Sequence, residues 1–214
     1  MPSEMIVCKS SAELETMHQA GLTVWEVLQG LREQVQPGVT TLDLENFAAR
    51  RTVECGARPA FKGYRGYPCV LCASVNQEVV HGIPSASRRL KEGDIVSLDY
   101  GAEFKGYYAD AAVTVPVGSV QPEVEKLMRV TRESLDRAIE KVRAGNRLGD
   151  ISAAVQQWVE QNGFAIKMVS PSCGNLWATA SAPGCTRNLM CPTSDSPVAV
   201  PGSRKEWYLP LSPW

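Results

Sequence analysis

Gly38 and Gly56 lie 18 positions apart, and the same interval recurs 107 positions later as Gly145 and Gly163. Asp43-Leu44 falls over Asp150-Ile151 at that offset. Each copy sits in a pair of helical patterns. The first pair opens with a capping box, Ser10 followed three residues later by Glu13, and places Leu14, Met17, Val24, Leu28 and Leu31 on one face before Pro37 and Gly38 stop it. Its second member, "TLDLENFAARRTVECG", runs from about Thr41 to a terminating Gly56. The second pair starts with Pro122 in a first-turn position and puts Val124, Leu127, Met128, Leu135, Ile139 and Val142 on one side. "GDISAAVQQWVEQNG" follows, ending at Gly163. The pattern reads as an internal duplication, two helix–turn–helix units that each feed a set of strands; coincident spacing is the alternative.

The first copy delivers its strands. "PCVLCASV", "GDIVSLDYG" and "GYYADAAVTVPVG" are rich in β-branched and aromatic residues and bounded by Gly or Pro. The second copy should deliver strands after Gly163. Instead the sequence turns to Pro, Ser, Thr, Cys and Trp without a period, as in "GNLWATASAPGCTRNLMCPTSDSPVAVPGSRKEW". The division expected is an ordered domain over 1–166 and a poorly ordered tail over 167–214. A chain that is 44% hydrophobic and 21% charged, with net charge −1, fits a globular protein and argues against electrostatic binding to nucleic acid or membrane. No stretch has membrane-spanning length, and "MPSEMIVCKSSAELE" lacks the layout of a signal peptide, so a cytoplasmic location is the default. Seven cysteines, an odd count, suit a reducing compartment.

Two carboxylates stand out. Asp99 lies in "IVSLDYG" and Asp110 in "GYYADAAV", separated by "EFKG", short enough for a hairpin. A turn centred on Phe104 and Lys105 would make the two aspartates direct cross-strand neighbours with Cβ atoms roughly 4.5–5.5 Å apart. Like charges so placed repel, so either one takes up a proton or a cation sits between them. Two hard oxygen donors on adjacent strands can hold one or two divalent ions; the plainer reading has one Asp facing solvent and the other serving a turn. His81, in "NQEVVHGIP", is placed at the end of an apolar strand, a rim position suited to a proton donor or ligand, or to a purely structural histidine. His18 reads as surface. Cys69 and Cys72 have the spacing of a zinc knuckle or redox pair, but no second pair follows and a strand would point them to opposite faces, which favours core packing. Phe61, Tyr64 and Tyr67 in "FKGYRGYP" line a pocket or pack a loop. No Gly-rich phosphate loop, Ser/His/Asp order or basic stripe competes with metal-assisted hydrolysis.

"GYRGYP…ASVNQEVVHGIP…LKEGDIVSLDYGAEFKGYYADAAVTVPVG" closely resembles type I methionine aminopeptidases, over residues 5 to 164. The resemblance implies an α+β pita-bread fold, two pseudo-symmetric halves around an antiparallel sheet that holds a dinuclear metal centre. Asp99 and Asp110 match the family's first two metal ligands. His81 matches the histidine that contacts substrate and stabilises the tetrahedral intermediate, and Tyr64 and Tyr67 match positions near the pocket for the initiator methionine. The implied reaction is attack by a metal-held hydroxide on the first peptide bond of nascent proteins. The implied cofactor is a pair of divalent ions of the Co, Mn, Fe, Zn or Ni class. The implied partners are N-terminal Met peptides and the ribosome, for an enzyme that is monomeric when intact. A pita-bread module without catalysis, or a related proline-directed aminopeptidase, are the alternatives.

The family takes a His and two Glu from its second half, and no histidine follows His81 here. A shifted reading frame accounts for the loss. If each codon takes the last base of one residue's codon and the first two of the next, Trp177 to Ala182 can spell Gly-His-Gly-Ile-Gly. With permitted third bases the string continues as "GHGIGTRMHEEPYVPNFG" and later "LKEGMVLALEPM", which carry the missing His and one Glu. Positions without latitude agree: Met190-Cys191 and Trp207-Tyr208 each force Val, and Met168-Val169 forces Gly. The tail is therefore expected to be an out-of-frame translation entered between about Phe164 and Met168, and the chain as written is expected to be inactive and to hold metal weakly. A genuine divergent C-terminus is the alternative.

Overall fold

In a computed structural model, residues 8–169, 177–182 and 185–186 are described. They fall into two compact units, one over Lys9–Val120 and one from Gln121 onward.

The first unit begins with α1, Ser11–Gln34, and α2, Thr41–Glu54. Each helix starts where an oxygen side chain satisfies its orphan amides. Ser10 N–H donates to Glu13 at 2.7 Å, and Thr40 N–H donates to Asp43 at 2.9 Å. Four strands follow: β1, Arg58–Pro59; β2, Leu71–Val75; β3, Ile95–Phe104; and β4, Tyr107–Pro116. All pair antiparallel with β3, which carries β1 and β2 along one edge and β4 along the other.

Alternation along the strands separates the two faces of this sheet. Leu71, Ala73 and Val75 of β2, and Val96, Leu98, Tyr100 and Ala102 of β3, are buried in one core with Val24, Val27, Leu28 and Leu31 of α1 and Leu44 and Ala48 of α2. Each fully buried Leu or Val contributes about 1.5–3 kcal/mol. The Tyr100 hydroxyl, inside this core, lies 2.8 Å from Thr52 Oγ1, so its polar end is satisfied. Glu45 of α2 is buried as well, and its carboxylate accepts the Val70 and Leu71 amides at 2.8 Å each. That pair of bonds fixes where β2 begins. The opposite face carries Cys72 and Ser74 of β2, Ser97, Asp99 and Gly101 of β3, and Asp110, Ala112 and Thr114 of β4.

The second unit contains α3, Pro122–Lys141, α4, Leu148–Gln161, and an antiparallel sheet of β5, Ala165–Val169, β6, Trp177–Ala182, and β7, Cys185–Thr186. Leu127, Val130, Ala138 and Val142 pack against Ile151, Val155, Val159 and Phe164. Leu135 and Ile139, expected on the buried side of α3, are instead 53% and 48% exposed. The α3–α4 contact takes the stripe through Leu127, Val130, Ser134 and Ala138, one step round the helix. Most of the tail expected to be out of frame lies outside the described residues.

Candidate metal centre

The β3–β4 hairpin turns on Lys105 and Gly106, not on Phe104 and Lys105. Phe104 pairs with Tyr107, and the two residues between have φ of 50° and 85°. A two-residue turn of this hand needs positive φ at both central positions, which Gly106 supplies and an aromatic residue resists. The register therefore differs by two from the expected one. Asp99 faces Ala112, and Asp110 faces Gly101. The aspartates are diagonal rather than direct neighbours. A shift of two keeps both on the same face of the sheet, and the small residues opposite them leave room for the carboxyl groups to meet.

Their carboxyl groups lie close enough for each to act on the other's charge. Burial first, then the neighbouring Asp110 carboxylate, pushes the Asp99 carboxyl up to about 8. Asp110 is open to solvent along β4, yet the protein around it pushes its carboxyl upward too. Asp99 Oδ1 is buried and has no hydrogen-bond partner among the described residues. A buried carboxylate oxygen without a donor is costly unless a proton or cation satisfies it. That oxygen, beside a second carboxyl group, fits a divalent cation. The fit is partial: among the described residues no group of three or more His, Cys, Asp or Glu is placed to hold a metal ion.

Around the pair, the predicted residues separate. Cys72 faces Asp99 across the β2–β3 ladder and is buried. Burial pushes its thiol up to about 12, so it stays protonated; Cys69 is half-buried, and neither cysteine forms a disulfide. Tyr67 is half-buried with its hydroxyl 3.0 Å from Leu71 O and 3.2 Å from Gly82 O. Burial and the Cys72 thiol push that hydroxyl's pKa upward. Tyr64 is exposed, under the Arg65 guanidinium. His81 does not end a strand: β2 stops at Val75, and His81 stands in an irregular segment at φ 60°. Partial burial lowers its pKa, which keeps the imidazole neutral at pH 7. Phe61 is nearly buried, and its ring lies where a Cβ on Gly101 would come within 2.7 Å. A glycine inside a strand signals such close approach, and Gly101 was the available clue to this wall.

Residues 15–181 match metallopeptidase family M24. A methionine aminopeptidase of Clostridium acetobutylicum is 47% identical over 162 residues, covering 76% of this chain and 65% of that protein. The chain thus spans less than two thirds of the length of this relative. The crystal structure of a methionine aminopeptidase from Thermotoga maritima superposes with a TM-score of 0.77 at 38% identity, over 94% of this chain and 78% of that one. A prolidase from Pyrococcus furiosus shares the fold at 21% identity and a TM-score of 0.65, over 72% of this chain and 44% of that one. The α+β architecture is the pita-bread fold of these enzymes, and with most of its length matched the chain belongs to metallopeptidase family M24.

Proposed function

We propose that this fold serves as an aminopeptidase that removes the initiator methionine from nascent proteins, with Asp99 and Asp110 as ligands to a divalent metal centre and His81 facing the substrate. The orphaned Asp99 oxygen beside Asp110 is the observation that supports this most directly. When bound, the metals would supply a water made nucleophilic at neutral pH. The chain's own residues do the rest. The aspartates present hard oxygen donors from a rigid hairpin. The neutral His81 imidazole can donate its N–H to the peptide carbonyl oxygen as negative charge builds there. Phe61 over Gly101, with Tyr67 nearby, gives an apolar wall for a methionine side chain. Work on N-terminal Met peptides in the cytoplasm, near the ribosome and as a monomer when intact, belongs to the same proposal. Among the described residues no helix is long and apolar enough to cross a membrane.

As written, the chain is proposed to lack a complete centre, because the remaining ligands are encoded in the other frame beyond about Phe164. The nucleotide sequence across codons 160 to 180 tests this half of the proposal. Restoring the frame should give cleavage of Met-Ala-Ser, which Asp99→Ala or Asp110→Ala should then abolish. His81→Ala should lower kcat by about 10²–10³, the usual effect of removing one donor to a developing oxyanion. If the restored enzyme keeps its rate without either aspartate, the ligand assignment is wrong.

A further inference from the structure

We propose that Ser74 and Tyr67 are positioning residues for His81, acting through the backbone of Gly82. The observation is a three-point clamp. Gly82 N–H donates to Ser74 Oγ at 3.1 Å. Gly82 O accepts from the Ala73 N–H at 2.9 Å and from the Tyr67 hydroxyl at 3.2 Å. The fit is close enough that a Cβ on Gly82 would stand 2.3 Å from Ala73 O, so only glycine can lie there.

The clamp has a consequence one residue upstream. His81 holds φ at 60°, a left-handed conformation that a non-glycine residue keeps only when its surroundings enforce it. Gly82, the next residue, is pinned against β2 at Ala73 and Ser74, one and two residues along from Cys72, which faces Asp99. Ser74 is 2% exposed, so its oxygen is a fixed acceptor. Tyr67 reaches the same carbonyl from the "GYRGYP" segment and shares its single hydroxyl hydrogen between Gly82 O and Leu71 O. The strand that pairs with Asp99 therefore also sets where the imidazole stands. Tyr67 has a second role beyond lining a pocket, and Ser74 gains a role that its type and place in a strand did not suggest.

This rests on reading His81 as the substrate-facing group, but its test needs no catalysis. His18 is the only other histidine in the chain, so two-dimensional NMR of the imidazole C–H groups gives one reporter and one internal reference. Ser74→Ala, Tyr67→Phe and the double variant would be compared with the parent chain. Ser74→Ala, which removes the acceptor of the Gly82 amide, should speed hydrogen exchange there by about tenfold, the effect of losing one hydrogen bond. The double variant should shift or split the His81 ring signals and leave those of His18 in place. The amides of Val96 and Leu98 should keep their protection. Unchanged His81 ring signals in a folded double variant would overturn the proposal. So would loss of protection at Val96 and Leu98, because the two side chains would then support the sheet rather than the histidine. Failure of the aminopeptidase reading looks different: His81→Ala would leave the restored enzyme's rate unchanged while these ring signals still moved.

Discussion

Leu28 and Leu135 occupy the same place in the two copies of the helix pair, 107 positions apart, yet Leu28 is 6% exposed and Leu135 is 53% exposed. The local designs match. α2 and α4 have 14 residues each, Gly56 and Gly163 follow them at φ 67° and 85°, and Asp43 and Asp150 each accept the amide three residues back. The surroundings differ. In the first unit α1 lies on β3 and β4, and Leu28 joins a core built from both layers. In the second, α3 packs on α4, and Leu135 lies off the stripe through Leu127, Val130, Ser134 and Ala138 that joins them. Helices are specified within a few residues of themselves, whereas burial of their apolar faces needs a partner layer encoded elsewhere.

The matched leucines give the largest test of that contrast. Leu28→Ala should cost about 2–5 kcal/mol in urea denaturation, as buried truncations do. Leu135→Ala should stay within about 0.5 kcal/mol. Equal costs would show that something covers the α3 stripe.

A second difference is electrostatic, because the first unit carries an acid pair in which both carboxyls are pushed upward. With the folded Asp99 pKa raised to about 8 and an unfolded value near 3.9, the folded state binds the extra proton. Its contribution is complete below the unfolded pKa and is lost as pH rises through the folded one. The metal-free first unit should therefore weaken between about pH 4 and 8, by about 1.4 kcal/mol per unit of displacement of the pair's titration. Asp99→Asn should flatten the profile, and a profile just as steep in that variant would remove Asp99 as its source.

The smallest contrast lies at the helix starts. Thr40 caps α2 with its hydroxyl, so Thr40→Ala should cost about 1 kcal/mol in thermal unfolding. Arg147 holds the equivalent place before α4, and Arg147→Ala should change stability by less than about 0.5 kcal/mol. Equal losses would mean that the two starts are built alike.

What could be seen in the sequence follows the same division. Ser10 with Glu13 and the four repeated glycines announce helix ends because the physics is local. The Asp99–Asp110 face was legible because side chains alternate along a strand, so an error of two in register did no harm. The register itself was missed because the left-handed demand of the turn, met by Gly106, outweighed the central placing of Phe104. Phe61 over Gly101 and the Gly82 clamp join segments far apart in the chain, and only Gly101 left a trace. Leu135 and Ile139 show the reverse limit: apolar spacing marks a face without saying what meets it.

Calorimetric titration of the purified chain with Mn²⁺ or Co²⁺ bears most directly on the claim that the first unit carries only part of a metal centre. Two carboxylates alone should give weak binding without a dinuclear stoichiometry. Tight uptake of two ions per chain would contradict the claim and return the missing ligands to this sequence.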